Sequence, residues 1–159
     1  METSLIVRQG KPEDIYEISD IYKDSIRELC KGEYSQEIIS LWENSIAPES
    51  RLKSIDSGSL WVVEINGDIG GYLVSVPGEL VALFIGSAYS GLGIGRKLCE
   101  LGIRLATKDS PVVTIESTLT AAPFYEKIGF TKTSSGFFSH GNSQIKIPIV
   151  NMVYDTTRT

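Results

Sequence analysis

The run Ser90-Gly91-Leu92-Gly93-Ile94-Gly95-Arg96-Lys97 packs three glycines and two cations into eight residues. It lies between an apolar stretch, Leu80 to Ile85, and a segment with Leu98, Leu101 and Leu105 on one helical face. Glycine lets backbone amides come close to a ligand and take up positive φ. The first turn of a helix has unpaired N–H groups and about half a positive charge. Such a strand–loop–helix junction is an anion site, and phosphate is the common anion there. The spacing narrows the choice. A dinucleotide fingerprint G-x-G-x-x-G starting at Gly91 reaches Arg96 in its last place and fails. A Walker loop starting at Gly86 meets Leu92-Gly93 where Lys-Ser/Thr is required, and fails too. The pattern [QR]-x-x-G-x-[GA] remains, with Ser90 in its first place. A ligand-free turn is the plain alternative.

Few other side chains offer reactive chemistry. Two cysteines, Cys30 and Cys99, build neither a disulfide framework nor a cysteine zinc site, and a single histidine, His140, excludes a His-rich one. No metal is expected. Cys99, beside Leu98 and Leu101, reads as a small buried hydrophobe, and Cys30, at a helix end, as structural. His140 falls in a Gly/Ser-rich stretch, Gly136 to Ser143, expected to be an exposed, mobile loop.

These groups need elements to position them. Leu5 to Val7 reads as a strand. Pro12 with Glu13 and Asp14 starts a helix whose apolar face is Ile15, Ile18, Tyr22, Ile26 and Leu29, ending at Lys31-Gly32. Ser35 caps a second helix with Ile38, Leu41 and Trp42, and Pro48 to Ile55 is a further short helical turn. The period then changes. Leu60 to Ile65, Asp68 to Val76 and Leu80 to Ile85 form an antiparallel meander, turned at Asn66-Gly67 and Pro77-Gly78. Its almost wholly apolar third strand is expected to be buried on both faces. A helix over about 93–107 and a buried strand, Val112 to Glu116, come next. A short helix from about Ala121 to Ile128 stops at Gly129, and two late strands follow, Phe130 to Ser135 and Ile145 to Tyr154. A strand–loop–helix–strand unit inside an otherwise antiparallel sheet predicts a mixed α/β layer over one domain, residues 1–159. Ile145 to Tyr154 is a candidate edge strand for a homodimer.

Thr120-Ala121-Ala122-Pro123-Phe124-Tyr125-Glu126-Lys127-Ile128-Gly129-Phe130 follows the glycine loop by about thirty residues. The loop pattern together with Pro-Phe-Tyr-Glu-Lys-x-Gly-Phe resembles the GNAT superfamily of N-acetyltransferases, and the order of elements fits across essentially the whole chain. The resemblance implies a central, mostly antiparallel mixed sheet of about seven strands flanked by helices. It also implies acetyl-CoA as cosubstrate, held where the last meander strand and the strand after the main helix part. On that reading the Phe84-Ile85 backbone bonds the pantetheine arm. Ser90, Gly91, Leu92, Gly93, Ile94, Gly95 and Arg96 surround the pyrophosphate. Tyr125 falls on the tyrosine that often acts as general acid toward the leaving thiolate. Two departures stand out: Ser90 replaces Gln or Arg, and Thr118 and Thr120 lie where an asparagine is often found. Tyr34 and Trp42, in a segment weakly similar to the substrate-side helices of small bacterial members, form a candidate aromatic wall for the acceptor, with helical core packing as the alternative.

Acetyl transfer to an amine needs a neutral nucleophile, and a primary amine with a pKa near ~10.4 is mostly protonated at neutral pH. Glu79 and Glu116 are the candidate bases, Glu116 preferred because its strand end is nearer the second motif. The N–H of Ile85 is the candidate donor to the oxyanion. Fifteen Lys+Arg against twenty Asp+Glu, a net charge of −5, argue against a nucleic-acid surface and favour cationic small molecules or basic peptides. No apolar run approaches the ~20 residues of a membrane span, and the start lacks a signal-peptide pattern. The expectation is a cytoplasmic enzyme that acetylates a small amine or a peptide amino group. A non-catalytic acyl-CoA-binding module and a protein N-acetyltransferase are the alternatives.

Overall fold

The computed structural model describes residues 4–138 and 146–157; His140 and most of its expected loop lie outside them. The strands are β1 (Leu5–Gln9), β2 (Leu60–Ile65), β3 (Asp68–Val76), β4 (Glu79–Ile85), β5 (Val112–Thr118), β6 (Thr131–Phe138) and β7 (Ile147–Asp155). The helices are α1 (Ile15–Leu29), α2 (Gln36–Glu43), α3 (Leu52–Asp56), α4 (Ile94–Ala106) and α5 (Ala122–Ile128), with a 3-10 turn over Pro48–Arg51 leading into α3. All seven strands join one sheet in the order β1-β2-β3-β4-β5-β7-β6. Only β4 and β5 run parallel, as the βαβ crossover through α4 requires.

Each face of the sheet has its own core. On one side α1, α2 and α3 bury Ile18, Ile26, Ile39 and Trp42 against Leu60, Val62, Tyr72 and Val74. On the other, α4 and α5 bury Leu98, Cys99 and Tyr125 against Leu73, Leu80, Val113 and Met152. Each fully buried Leu or Ile contributes on the order of 2 kcal/mol. The Asn66-Gly67 turn is made as its residues predict, with φ of 53° and 90°. Ser35 caps α2 by accepting the Ile38 N–H at 3.2 Å. At the start of α1 the buried Asp14 accepts from Arg8 Nη1 and from the Lys11 N–H, each at 2.8 Å.

Four expectations are corrected. The third meander strand is not buried on both faces: Val81 is 45 % exposed. Val74 pairs with Ala82 and Ser75 with Leu80, so Val81 is the extra residue of a β-bulge. Pairing with β5 is confined to Glu79↔Thr114 and Leu80↔Ile115, and therefore ends where the bulge begins. Apolar residues facing this gap carry the same sequence signal as residues in a closed core. Secondly, β7 is not an edge strand. It lies between β5 and β6, because the β6–β7 pair docks on β5 through its second member. Thirdly, Leu41 is exposed and Ile39 fills the core instead. Fourthly, β5 alternates, with Thr114 and Glu116 exposed.

The end of α5 explains the spacing of its motif. The Phe130 N–H reaches the Tyr125 carbonyl at 3.0 Å and the Gly129 N–H reaches that of Glu126 at 3.1 Å. This is the double bond of a Schellman turn. Its usual apolar clasp is the Tyr125–Phe130 ring pair, with centroids 5.5 Å apart. Gly129 has φ 128°, and a Cβ there would lie 3.0 Å from Tyr154 Cε2. Two outcomes are expected. Gly129→Ala destabilises the protein by about 1–3 kcal/mol in urea titration, through backbone strain. For Asp14, burial opposes ionisation, but the Arg8 and Lys11 bonds outweigh it and hold the carboxyl below its ordinary range. Its contribution is therefore present above the unfolded carboxylate pKa near ~3.9 and is lost as pH falls through the lower folded value. Asp14→Asn should flatten the acid limb of a stability-versus-pH curve.

Candidate active site

Beyond Leu80 and Ile115 the two parallel strands part, and a cavity of about 120 Å³ opens between them. Its lining draws on both faces of the sheet: Tyr22, Trp42 and Phe84 from one core, Leu83, Ile115 and Tyr125 from the other. The cavity thus passes through the sheet. Glu116, Ser117 and Thr118 form the β5 wall, and Val81 to Phe84 form the β4 wall.

The glycine loop follows directly from the free end of β4. Gly91 and Gly93 have φ of 79° and 81°, and a Cβ on either would meet nothing within 4 Å. Gly93 starts α4 in the left-handed conformation with no side-chain cap. Among the described residues, the amides of Leu92, Gly93, Ile94, Gly95 and Arg96 donate to no chain acceptor; the first paired one is Lys97 N, on the Gly93 carbonyl. Unpaired donors over open space, at a helix N-terminus, fit a diphosphate. Arg96 adds an exposed cation, ion-paired to Glu100 at 3.1 Å, and Ser90 and Leu92 are exposed beside it. The loop is anchored at its start: Asp24 of α1 accepts from the Ser87 N–H at 2.6 Å and from Ser87 Oγ at 2.9 Å.

Tyr125 is 3 % exposed and lines the cavity, and its hydroxyl has no hydrogen-bond partner among the described residues. Burial, with a smaller push from Cys99, holds its pKa far above the ordinary phenol value. It is a neutral donor awaiting an acceptor. Glu116 stands on the β5 wall of the same cavity, on an exposed position opposite Asn151. Phe84 stacks on Tyr72 at 5.6 Å and meets the edge of Tyr22 at 5.0 Å. Beyond Leu80, the β4 edge that carries Phe84 and Ile85 has no strand partner toward β5.

Two sequence candidates are not brought into this group. Glu79 pairs with Thr114 at the closed end of the strands and lies outside the cavity. Tyr34 spends its hydroxyl on structure, donating to the Pro148 carbonyl at 2.6 Å and accepting from the Leu119 N–H at 2.9 Å. Trp42 does reach the cavity, edge-on to Tyr34. Both cysteines are buried with raised thiol pKa values, Cys99 pushed up to about 12 by burial, so neither supplies a thiolate nucleophile. Sequence reasoning did not single out Arg51, which lines the cavity from the short 3-10 turn, or Asp24. A lone cation or acid on a helical segment carries no periodic signal.

A family profile described as acetyltransferase (GNAT) domain matches residues 30–154. The uncharacterized N-acetyltransferase YafP of Escherichia coli K12 is 26 % identical over 125 residues, 78 % of this chain and 79 % of that protein. A GCN5-related N-acetyltransferase from Rhodopseudomonas palustris has the same fold, with a TM-score of 0.86 at 22 % identity over 98 % of both chains. So does the PaiA N-acetyltransferase of Thermoplasma acidophilum, solved in complex with coenzyme A: its TM-score is 0.75 at 18 % identity over 96 % of this chain and 99 % of that one. With the parted strands, the unpaired loop amides and the matched profile in view, the chain belongs to the GNAT family and is an acyl-CoA-dependent acetyltransferase.

Proposed function

We propose that the chain moves the acetyl group of acetyl-CoA to a primary amine by direct attack of the amine on the thioester, in the gap between β4 and β5. The observation that carries this reading is Tyr125, a buried neutral phenol in the cavity lining whose hydroxyl has no hydrogen-bond partner among the described residues. A leaving thiolate is the acceptor it suits.

The loop amides from Leu92 to Arg96 hold the diphosphate, and the open edge of β4 around Phe84 and Ile85 aligns the pantetheine arm. The thioester supplies the activated acyl group; the chain orients it and handles protons. Glu116, directly or through one water, takes the proton the ammonium must lose before its nitrogen can attack. As the C–N bond forms, a backbone N–H on the β4 edge supports the charge on the thioester oxygen. As the C–S bond breaks, the Tyr125 hydroxyl donates to the sulfur. Full proton transfer from an ordinary phenol at ~10 to a thiolate at ~8.5 is uphill by roughly 2 kcal/mol. Burial of Tyr125 makes it steeper, so the phenol acts as a hydrogen-bond donor; the second proton, which the nitrogen loses after attack to become an amide, passes to solvent, and the thiolate takes one proton back from solvent. A non-catalytic acyl-CoA-binding module would leave Glu116 and the Tyr125 hydroxyl without a use.

Thiol release from acetyl-CoA across a panel of primary amines tests the reading; saturable coenzyme A binding without release from any amine would make the chain a binding module. Tyr125→Phe should lower kcat by at least about tenfold, the worth of one charge-assisted hydrogen bond, with little change in the KM for acetyl-CoA. Because Tyr125 stays protonated beyond the ordinary phenol range, the wild-type rate should rise with pH as the amine deprotonates and show no fall due to Tyr125 below pH ~10. Gly93→Ala, strained by about 1–2 kcal/mol at its left-handed φ, should weaken coenzyme A binding several-fold in calorimetry.

A further inference from the structure

Two residues of the cavity lining carry a buried donor with no acceptor among the described residues. Trp42 Nε1 and Arg51 Nε are buried and unpaired, and both residues line the cavity. Trp42 is 1 % exposed. Its indole N–H lies by the Tyr22 hydroxyl without closing a hydrogen bond to it. Arg51 forms no ion pair with any described residue. Its one polar contact is Nη2 donating to Tyr72 Oη at 3.3 Å, and its guanidinium carbon sits 5.5 Å from the centroid of that ring. Arg51 is half-buried with no carboxylate partner among the described residues, and buried donors left unsatisfied, such as its Nε, are rare. Neither group can accept a hydrogen bond. Their common complement is an acceptor-only anion, and one planar guanidinium beside one N–H suits a carboxylate. Glu116 lines the same cavity with the opposite charge, and Tyr22 and Phe84 supply apolar wall.

We propose that the acceptor is a small amino-carboxylate of amino-acid type: its carboxylate bonds Arg51 and Trp42, its amine faces Glu116, and its apolar body rests on Tyr22 and Phe84. This rests on the acetyl-transfer reading, of which it names the substrate class. In a chain of net charge −5, the Arg51 guanidinium, the one cation among the described residues of the cavity lining, makes the acceptor end selective against simple polyamines, which bring no anion to it.

The test is equilibrium binding, which needs no turnover. N-acetyl-leucine, N-acetyl-methionine and N-acetyl-phenylalanine are each titrated against their carboxamides, into protein with excess coenzyme A. Binding of at least one acid, roughly tenfold or more tighter than its amide, is expected from one lost charge-assisted contact. Arg51→Gln should bring that ratio close to one, Arg51→Lys should keep part of it, and Trp42→Phe should reduce it several-fold. Retention of part of the preference in Arg51→Lys separates a lost contact from a damaged fold. Equal affinity for acid and amide, or no detectable binding of any acid at millimolar concentration, overturns the proposal, as does an acid preference unchanged in Arg51→Gln. Thiol release with the amine panel reports separately on acetyl transfer. If release occurs while acids and amides bind alike, transfer stands and the carboxylate site falls. If acids bind through Arg51 and no amine is acetylated, the carboxylate site stands and transfer falls.

Discussion

The site depends on two parallel strands that stop pairing after two residues. β4 and β5 share only Glu79↔Thr114 and Leu80↔Ile115, and the next residue of β4, Val81, is bulged out of its register with β3. A bulge bends its strand and adds local twist. Here the free half of β4 leaves its pairing with β5 at the bulge while the β3 side remains paired as far as Gly71↔Ile85. A sheet normally separates its two faces completely. This one is open at a single seam, so groups from both cores meet across it: Tyr125 from the α4–α5 side, and Tyr22, Trp42 and Arg51 from the α1–α3 side. Two substrates approaching from opposite faces can touch only at such a seam.

Around it, local backbone chemistry substitutes for side-chain machinery. The proposed anion cradle is made of amides left unpaired at the start of α4, not of cations, and Arg96 is already engaged with Glu100. Tyr125 is aimed by the turn that ends its own helix. Gly129 permits the reversal, and Phe130 is drawn back onto the ring. The fixed spacing from tyrosine to glycine to phenylalanine is thus a geometric requirement of a helix end, and it carries the Tyr125 hydroxyl along with it.

Much of this was legible in the residues because it is local. Asn66-Gly67, Ser35 before Ile38, and Gly129 after α5 each announce a turn or cap by steric rules that hold within a few residues, and the structure makes all three. What was not legible depends on pairing between distant segments. Glu79 and Glu116 look alike in sequence, each at the end of an apolar strand; only the register, which sets Glu79 against Thr114, puts one at the closed end and the other in the gap. The apolar residues of β4 signal contact with something nonpolar but not whether that is a core or a cleft. The position of β7 inside the sheet depends on which member of a hairpin docks, which turn residues do not encode. Arg51 was invisible because its significance is a missing partner, and a missing partner is a property of space rather than of order along the chain.

The clamp of Asp24 on Ser87 joins the two halves of the site mechanically. α1 carries Tyr22 in the wall of the cavity and, half a turn later, the carboxylate that secures the entrance of the glycine loop. One helix therefore bears on both proposed substrate sites. Any tilt of that helix that widened the space for an incoming amine would pull on the loop proposed to grip the nucleotide end of the donor. With both guests seated as proposed, loosening the hold on one would be felt by the other.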